Sequence, residues 1–582
     1  MLASLGQIWR LCVLCAWRPG GRLGIVYFAV VFGLGLVGVH ISVRLIRWTA
    51  DFFNALQKLD VDEAIRQIGV FFILIAISAA LNLSGTYIRK LLQIRWRRTL
   101  TDAMLDHWLA GKAFWHLRAR TEFGLDNPDQ RIAEDCRIFV FRLTTEALEL
   151  ITNIVALVSF VAILWSLSTF ALTFTLFGAE ISIPRYMVWA APAYVAISSG
   201  ITHWLGKPLL ALNVEQQKTE ADFRFGLARF RQTGEAVALA GGEATERRIF
   251  KNGFEAIADN WRQLIRRELI LGMFTRPYMQ TVLRIPLFLA LPAFLAGKLT
   301  FGGLMQIGSA FQNVVTTLSW FIFSYRDLAE LASASARLDH FVAATMEARA
   351  GTSDVRIEPS ADGTLKLAGL QLSSPGGRPI QALDDVVLRP GETIWLQAPS
   401  GFGKTTLLRA IAGLWRHGQG RIERPLEAAS FLPQLPYFPL GGIAAATVYP
   451  AAAETVPREQ VAEWLRAVGL GRLVDIADAE AGAALAGLSG GERQRLALIR
   501  LVVECPAWAF LDEPTSALDE GAERNLMQWL RGELPETTFV IVAHRRPLGL
   551  GPVRELCLSA APLAVEEPTA RTKPDLVASP AS

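Results

Sequence analysis

The chain has 582 residues, 52% of them hydrophobic, with 58 Lys and Arg against 54 Asp and Glu. That length exceeds a single hydrophobic core and predicts several domains. A net charge of +4 without a polybasic tract argues against nucleic acid as a partner. Five cysteines, an odd number, make no disulfide framework, and Cys12-x-x-Cys15 has no second Cys or His pair at metal spacing.

In chain order, residues 1–22 predict a short amphipathic elbow at a membrane surface, with Trp9, Trp17 and Arg18 suited to the interface. Residues 23–342 then hold the hydrophobic excess. Spans are predicted at about 23–45, 64–88, 143–168, 186–210, 268–297 and 300–326, several reaching the roughly 20 apolar residues that cross a bilayer. Buried helices of a soluble protein would not need so many such runs. Eleven Lys and Arg fall between Arg89 and Arg142, and eleven between Lys207 and Arg267. The intervening loops carry few, so the positive-inside rule places both long loops and the N-terminus in the cytoplasm. Outside the bilayer, Leu45–Gln67 and Ser168–Arg185 predict an amphipathic strip and a short loop. Within the spans polar groups are scarce. Glu146, Glu149 and Arg284 are therefore candidates to line a substrate cavity, because a charge facing lipid costs several kcal/mol. A structural salt bridge would have the same sequence.

Residues 343–364, rich in Gly, Ser, Asp and Pro, predict a linker, and 365–558 an α/β domain of short strands and amphipathic helices. Residues 559–582, with four prolines and no periodicity, predict a disordered tail. Within the α/β domain, Ile394–Ala398 predicts a buried strand. Ala398, Pro399, Ser400, Gly401, Phe402, Gly403, Lys404, Thr405 and Thr406 then form a turn entering a helix, the pattern of a phosphate-binding loop. Its backbone N–H groups and helix N-terminus cradle phosphates, Lys404 reaches them, and Thr405 ligates Mg²⁺. Ala398 stands where the strict pattern has glycine. Trp508–Asp512 is an apolar strand ending in a carboxylate, placed to hold Mg²⁺, and Glu513 is placed to polarise the attacking water.

Read together with Leu488-Ser489-Gly490-Gly491-Glu492, Gln434, Asp519 and His544, this pattern resembles the ATP-binding-cassette family. The resemblance implies an ATPase using ATP and Mg²⁺. Ser489, Gly490 and Gly491 would be the signature that closes on nucleotide held by a second cassette. Gln434 would be the Q-loop residue, near the metal and the phosphate. Asp519 would lie in the D-loop at the dimer interface, and His544 would be the switch histidine at the γ-phosphate. One copy of each motif implies a homodimer. Many cassettes stack adenine on an aromatic residue, and none stands at Leu372–Pro375.

Trp96-Arg-Arg98, Asn127-Pro-Asp-Gln-Arg131 with Glu134-Asp135, Glu220–Phe223 and Ala240–Glu243 resemble the branch shared by peroxisomal fatty-acyl-CoA transporters of subfamily D and bacterial SbmA/BacA-like proteins. That implies a type IV, exporter-type membrane domain of six helices in a bacterial inner membrane. Asn127–Asp135 and Glu235–Arg247 would be coupling helices docked on the cassettes. The resemblance leaves two transport readings open: uptake of bulky hydrophilic solutes such as peptides or cobalamin, and export or flipping of acyl or lipid substrates. A gated channel or regulator that hydrolyses ATP slowly or only senses it is a third, disfavoured by the intact Glu513 and His544.

Overall fold

The computed structural model describes residues 2–118, 127–176, 179–351, 353–399, 402–425, 429–476 and 478–557. The expected tail, 559–582, lies outside them. The chain divides into a helical unit, Met1–Ala110 with Leu125–Ala344, and an α/β unit, Gly111–Gly124 with Thr345–Ser582.

The helical unit begins with α1 (Leu2–Trp17), α2 (Arg22–Gln57) and α3 (Val61–Leu109). Asp60 starts α3 by accepting the backbone N–H of Glu63, and Asp62 and Glu63 place negative charge at the helix's positive end. The strip predicted at Leu45–Gln67 is thus mostly helix, because the amphipathic pattern simply continues both spans. Trp48 ties the two helices by donating to the Gln67 carbonyl at 2.7 Å and packing against Phe71.

After α4 (Ala113–Arg118), which belongs to the α/β unit, come α5 (Pro128–Gln130), a π-helical turn at Arg131–Asp135, and α6 (Cys136–Leu167). Asn127, in a left-handed conformation, precedes α5, which opens on Pro128. The segment expected to dock on the cassette, Asn127–Asp135, belongs to the helical unit. The reason is Asp135, which is 2% exposed and bonded to Arg131 at 2.7 Å and Arg337 at 2.8 Å. A carboxylate buried this deeply needs such partners.

The loop predicted at Ser168–Arg185 is instead an antiparallel hairpin, β1 (Ala171–Leu176) and β2 (Ala179–Pro184). Leu172, Phe174 and Leu176 alternate with Thr173 and Thr175, the two-residue period of a strand. Next are α7 (Tyr186–Gln232), α8 (Gly234–Ala240), α9 (Glu243–Leu295), α10 (Phe301–Phe323) and α11 (Tyr325–Ala350). Among the described residues, four helices are long and apolar enough to cross a bilayer: 22–58, 61–117, 128–167 and 243–295. Two further spans were expected, on α7 and α10. Their hydropathy is diluted by His203 and Lys207 in α7, and by Gln306, Gln312 and Asn313 in α10.

In the α/β unit, β3 (Val355–Pro359), β4 (Leu365–Ser373), β5 (Pro379–Ala382) and β6 (Val386–Leu388) precede β7 (Thr393–Gln397) and α12 (Lys404–Ile411). β8 (Gly418–Arg424), β9 (Ala429–Leu432), α13 (Gly442–Val448), α14 (Arg458–Ala467), α15 (Asp478–Ala486) and α16 (Gly490–Glu504) follow. The unit closes with β10 (Trp508–Asp512), α17 (Glu520–Glu533), β11 (Thr538–Val542) and β12 (Arg554–Cys557). The predicted linker, 343–364, is largely structured: it holds the end of α11 and all of β3, which pairs in parallel with β8. Its Gly, Ser and Pro residues cluster around those elements and leave Val355-Arg-Ile357 free to form the strand.

One sheet is parallel in the order β12-β7-β11-β10-β9; the other runs β3-β8-β4-β5, with β6 against β4. Trp508–Asp512 and Thr538–Val542 are buried at every position, so their continuous apolar runs suit strands covered on both faces. The carboxyl ends of β7, β9, β10 and β11 therefore open along one edge, where a doubly covered parallel sheet places its ligands.

Candidate nucleotide-binding site

Four strand ends supply the site. β7 runs into Ala398, Pro399, Phe402 and Gly403, and α12 opens on Lys404, Thr405 and Thr406. Ser400 and Gly401 of the expected phosphate loop lie outside the described residues. Gly403 has φ +89°, a conformation that L side chains avoid, so glycine is required where the loop turns into the helix. Lys404 Nζ donates to the Ala398 carbonyl at 2.8 Å.

Thr405 Oγ1 donates to Asp512 Oδ2 at 2.8 Å, joining the helix start to the end of β10. Burial pushes the Asp512 carboxyl above its ordinary pKa, the Thr405 hydroxyl pulling the other way. A hydroxyl and a carboxylate side by side are hard oxygen donors that fit Mg²⁺, an ion that keeps most of its shell for phosphates and water.

Glu513 is the centre of the remaining contacts. Its Oε2 accepts from Gln434 Nε2 at 2.8 Å, and its Oε1 lies 3.1 Å from His544 Nε2. Its backbone has φ +49°, a left-handed geometry that costs about 1–2 kcal/mol for a non-glycine residue. The strain is held because Glu513 N donates to the Val542 carbonyl at 2.8 Å, fixing the turn across to β11. Three motif residues from β9, β10 and β11 thus meet at one carboxylate.

The residues predicted to serve a second nucleotide lie apart from this cluster. Ser489 caps α16: its side chain accepts from the Glu492 backbone, and Glu492 reaches back to the Ser489 N–H at 3.0 Å, a reciprocal capping box. Gly491 needs its small size, since a Cβ there would lie 2.8 Å from Leu518. Asp519 caps α17 by accepting from Ala522 N at 2.9 Å. Ser489, Gly490 and Asp519 are exposed, and among the described residues no bond joins them to Lys404, Asp512 or Glu513.

Sequence reasoning missed Gln494. It is buried in α16, donates to the Glu513 carbonyl at 3.2 Å and to Ser516 at 2.9 Å, and accepts from Ala517 N at 3.1 Å. One side chain therefore ties the signature helix to the carboxylate turn and to the residues leading into Asp519. Its partners are 19 to 23 residues away, so no local spacing announces it.

In the helical unit, Glu146 is 3% exposed with Oε2 unpartnered among the described residues, and Glu149 accepts from Trp320 Nε1 at 2.9 Å and approaches Arg89 at 3.5 Å. Arg284 is exposed, and no ion pair among the described residues joins it to either glutamate. The three are not brought together.

Comparison with known proteins agrees with this division. The family described as ABC transporter transmembrane region 2 matches residues 18–295, and that described as ABC transporter matches 384–516. The chain is 33% identical over 530 residues to the inner membrane ABC transporter ATP-binding protein YddA of Escherichia coli, covering 91% of this chain and 93% of that one. It is 27% identical to ABC transporter D family member 2, chloroplastic, of Arabidopsis thaliana, covering 89% and 81%. Against the lysosomal cobalamin transporter ABCD4 of Homo sapiens the identity is 26%, covering 82% of each.

Proposed function

The chain belongs to the ABC transporter family, and from that premise we propose that it is a half-transporter working as a homodimer. Its ATP hydrolysis would drive uptake of bulky hydrophilic solutes, such as peptides or cobalamin, across a bacterial inner membrane. The single observation that carries the ATPase reading is the convergence of Gln434, Glu513 and His544 beside the Thr405–Asp512 pair. Phosphoryl transfer needs positioned charge more than unusual reactivity, and these groups are positioned by rigid strand ends.

In this reading Lys404 leaves the Ala398 carbonyl for the β- and γ-phosphates, and Thr406 and the loop backbone hold the phosphates behind it. Thr405, Asp512 and Gln434 would hold Mg²⁺, which supplies charge neutralisation between those phosphates. Glu513 orients the attacking water by accepting its hydrogen bond. His544, already beside that carboxylate, contacts the γ-phosphate and holds the geometry.

The dimer is supported by the exposed position of Ser489, Gly490 and Asp519. A helix N-terminus is an anion site by its free N–H groups and dipole, and that of α16 carries the signature. The membrane domain would be of the type IV class with six spans on α2, α3, α6, α7, α9 and α10, its N-terminus and cassette cytoplasmic. The solute class rests on analogy with the named cobalamin transporter, and direction rests on the bacterial branch.

The test is reconstitution of the full chain into proteoliposomes with cassettes outward and labelled cobalamin or a proline-rich peptide trapped inside, followed by release to the cassette side, measured with and without Mg·ATP. ATP-dependent movement of either supports the reading. Movement only of an acyl or lipid probe would replace it with the lipid-transport alternative. ATP hydrolysis with no solute moved would favour the regulator.

A further inference from the structure

One buried side chain at the cassette lies outside every motif. Gln381 sits on β5 opposite Leu372 of β4, is 2% exposed, and has no hydrogen-bond partner among the described residues at either Nε2 or Oε1. A buried amide with both ends unpaired opposes folding, whereas a leucine or methionine of similar volume would not. Its neighbour is the phosphate loop: a Cβ placed on Gly403 would lie 3.2 Å from Gln381 Oε1 and 2.8 Å from the Ile380 side chain. The carboxamide therefore lies directly against the turn whose φ of +89° ends the loop.

The loop next to it is also the part of the cassette that nucleotide must rearrange. Lys404 Nζ is bonded to the Ala398 carbonyl, so a lysine that turns toward phosphates releases an acceptor in its own loop. Loop N–H groups are drawn at the same time toward the phosphate oxygens. We infer that Gln381 is a latch for the phosphate loop, whose carboxamide hydrogen-bonds the backbone of the Gly403 turn when nucleotide phosphates fill the loop. It is a positioning residue, touching the loop and not the reacting atoms. The polar group is retained because its bond forms together with the bound nucleotide, which adds to affinity there and nothing to the fold.

This inference rests on ATP being the ligand of the loop, and the experiment keeps the two apart. Full-length wild type, Gln381→Met, Gln381→Leu and Lys404→Ala are titrated with Mg·ATPγS in nanodiscs, and melting temperatures are measured with and without it. A latch predicts that both Gln381 variants melt at or above the wild-type temperature without nucleotide. It also predicts roughly ten-fold weaker binding of ATPγS, the loss expected for about one hydrogen bond, and a smaller nucleotide-induced rise in melting temperature. Unchanged affinity with a raised melting temperature would overturn it, since the amide would be merely trapped. A lowered melting temperature, or failure to fold, in both variants would also overturn it, because the amide would then hold the fold. If wild type binds no ATPγS, the ATPase reading itself fails, and Lys404→Ala then matches wild type.

Discussion

The nucleotide site of the cassette and the candidate cavity residues of the helical unit differ in how their polar side chains are partnered. In the cassette, Glu513 is tied to Gln434 and His544, Asp512 to Thr405, and Gln494 bridges the turn behind them. In the helical unit, Asp135 is neutralised by two arginines and Arg142 by Asp327 and Glu330, while Glu146 keeps an oxygen unpartnered among the described residues and Arg284 is exposed. The difference teaches where specificity is stored. Nucleotide chemistry is fixed by side chains that hold one another, so it is shared across a family. The helical unit's uncommitted groups, Glu146 and Arg284, are the ones to test for contact with a solute.

The largest expected effect breaks the cassette side. Glu513→Gln keeps its bond to Gln434 but no longer polarises water, so hydrolysis should fall by about 10²–10⁴-fold with ATP binding retained. Phosphate release together with nucleotide binding on the same preparation checks it; wild-type turnover would remove Glu513 from its role.

Second comes the question of whether one cassette suffices. Ser489→Arg and Lys404→Ala should each abolish activity as homodimers. Mixed, they form heterodimers in which one chain's Lys404 faces the other's intact Ser489, and ATPase activity should partly return. Full activity in a monodisperse monomer would refute the composite site.

A third experiment sharpens the helical side. Glu146→Gln, Glu149→Gln and Arg284→Gln should change ATP-dependent uptake and leave basal ATPase largely intact, since all three belong to the helical unit and not to the cassette. If Glu149 is instead a structural partner of Arg89 and Trp320, its variant should melt at lower temperature with uptake per folded molecule unchanged. Stability and uptake both unchanged for all three would leave these charges without either role.

The smallest effect is a pH dependence at the signature. Arg472, donating to Glu492 at 2.7 Å, and the Ser489 backbone hold the Glu492 carboxyl down to about 2, from an ordinary 4.5. Because the folded value is the lower one, this contribution is complete above pH 4.5 and is lost as pH falls from there toward about 2. The protection of residues 490–493 from hydrogen exchange, relative to the intrinsic rate at each pH, should fall across that window in wild type and show no such dependence in Glu492→Gln.

Much of the cassette is legible in the sequence because each site residue stands at a strand end or a helix start: Asp512 after Trp508–Leu511, His544 after Phe539–Val542, Lys404 after the Gly403 turn. Gln494, Gln381 and Arg500 carry no such mark. Arg500 is buried in α16 and holds the Tyr437 and Ala446 carbonyls 63 and 54 residues away, a relation only the fold creates. In the helical unit hydropathy reveals α2, α3 and α6. It understates α10, where Gln306, Gln312 and Asn313 share a helix with Phe311, Val314 and Val315 buried in the core. The β1–β2 hairpin is hidden by its short strands, which sit between two long apolar stretches.

One further consequence concerns synthesis. Trp115 of α4 donates to the Leu414 carbonyl at 2.9 Å, and Arg409 of α12 lies over its ring at 5.4 Å, inside a unit that otherwise begins at Thr345. The partners are 299 residues apart. At ribosomal rates of roughly 5–20 residues per second, Trp115 emerges about 15–60 s before its acceptor exists. A gene fragment starting at Thr345 would make a domain whose Leu414 carbonyl and Arg409 lack their tryptophan. In the whole protein, that tryptophan must wait, undocked, while most of the membrane domain is made.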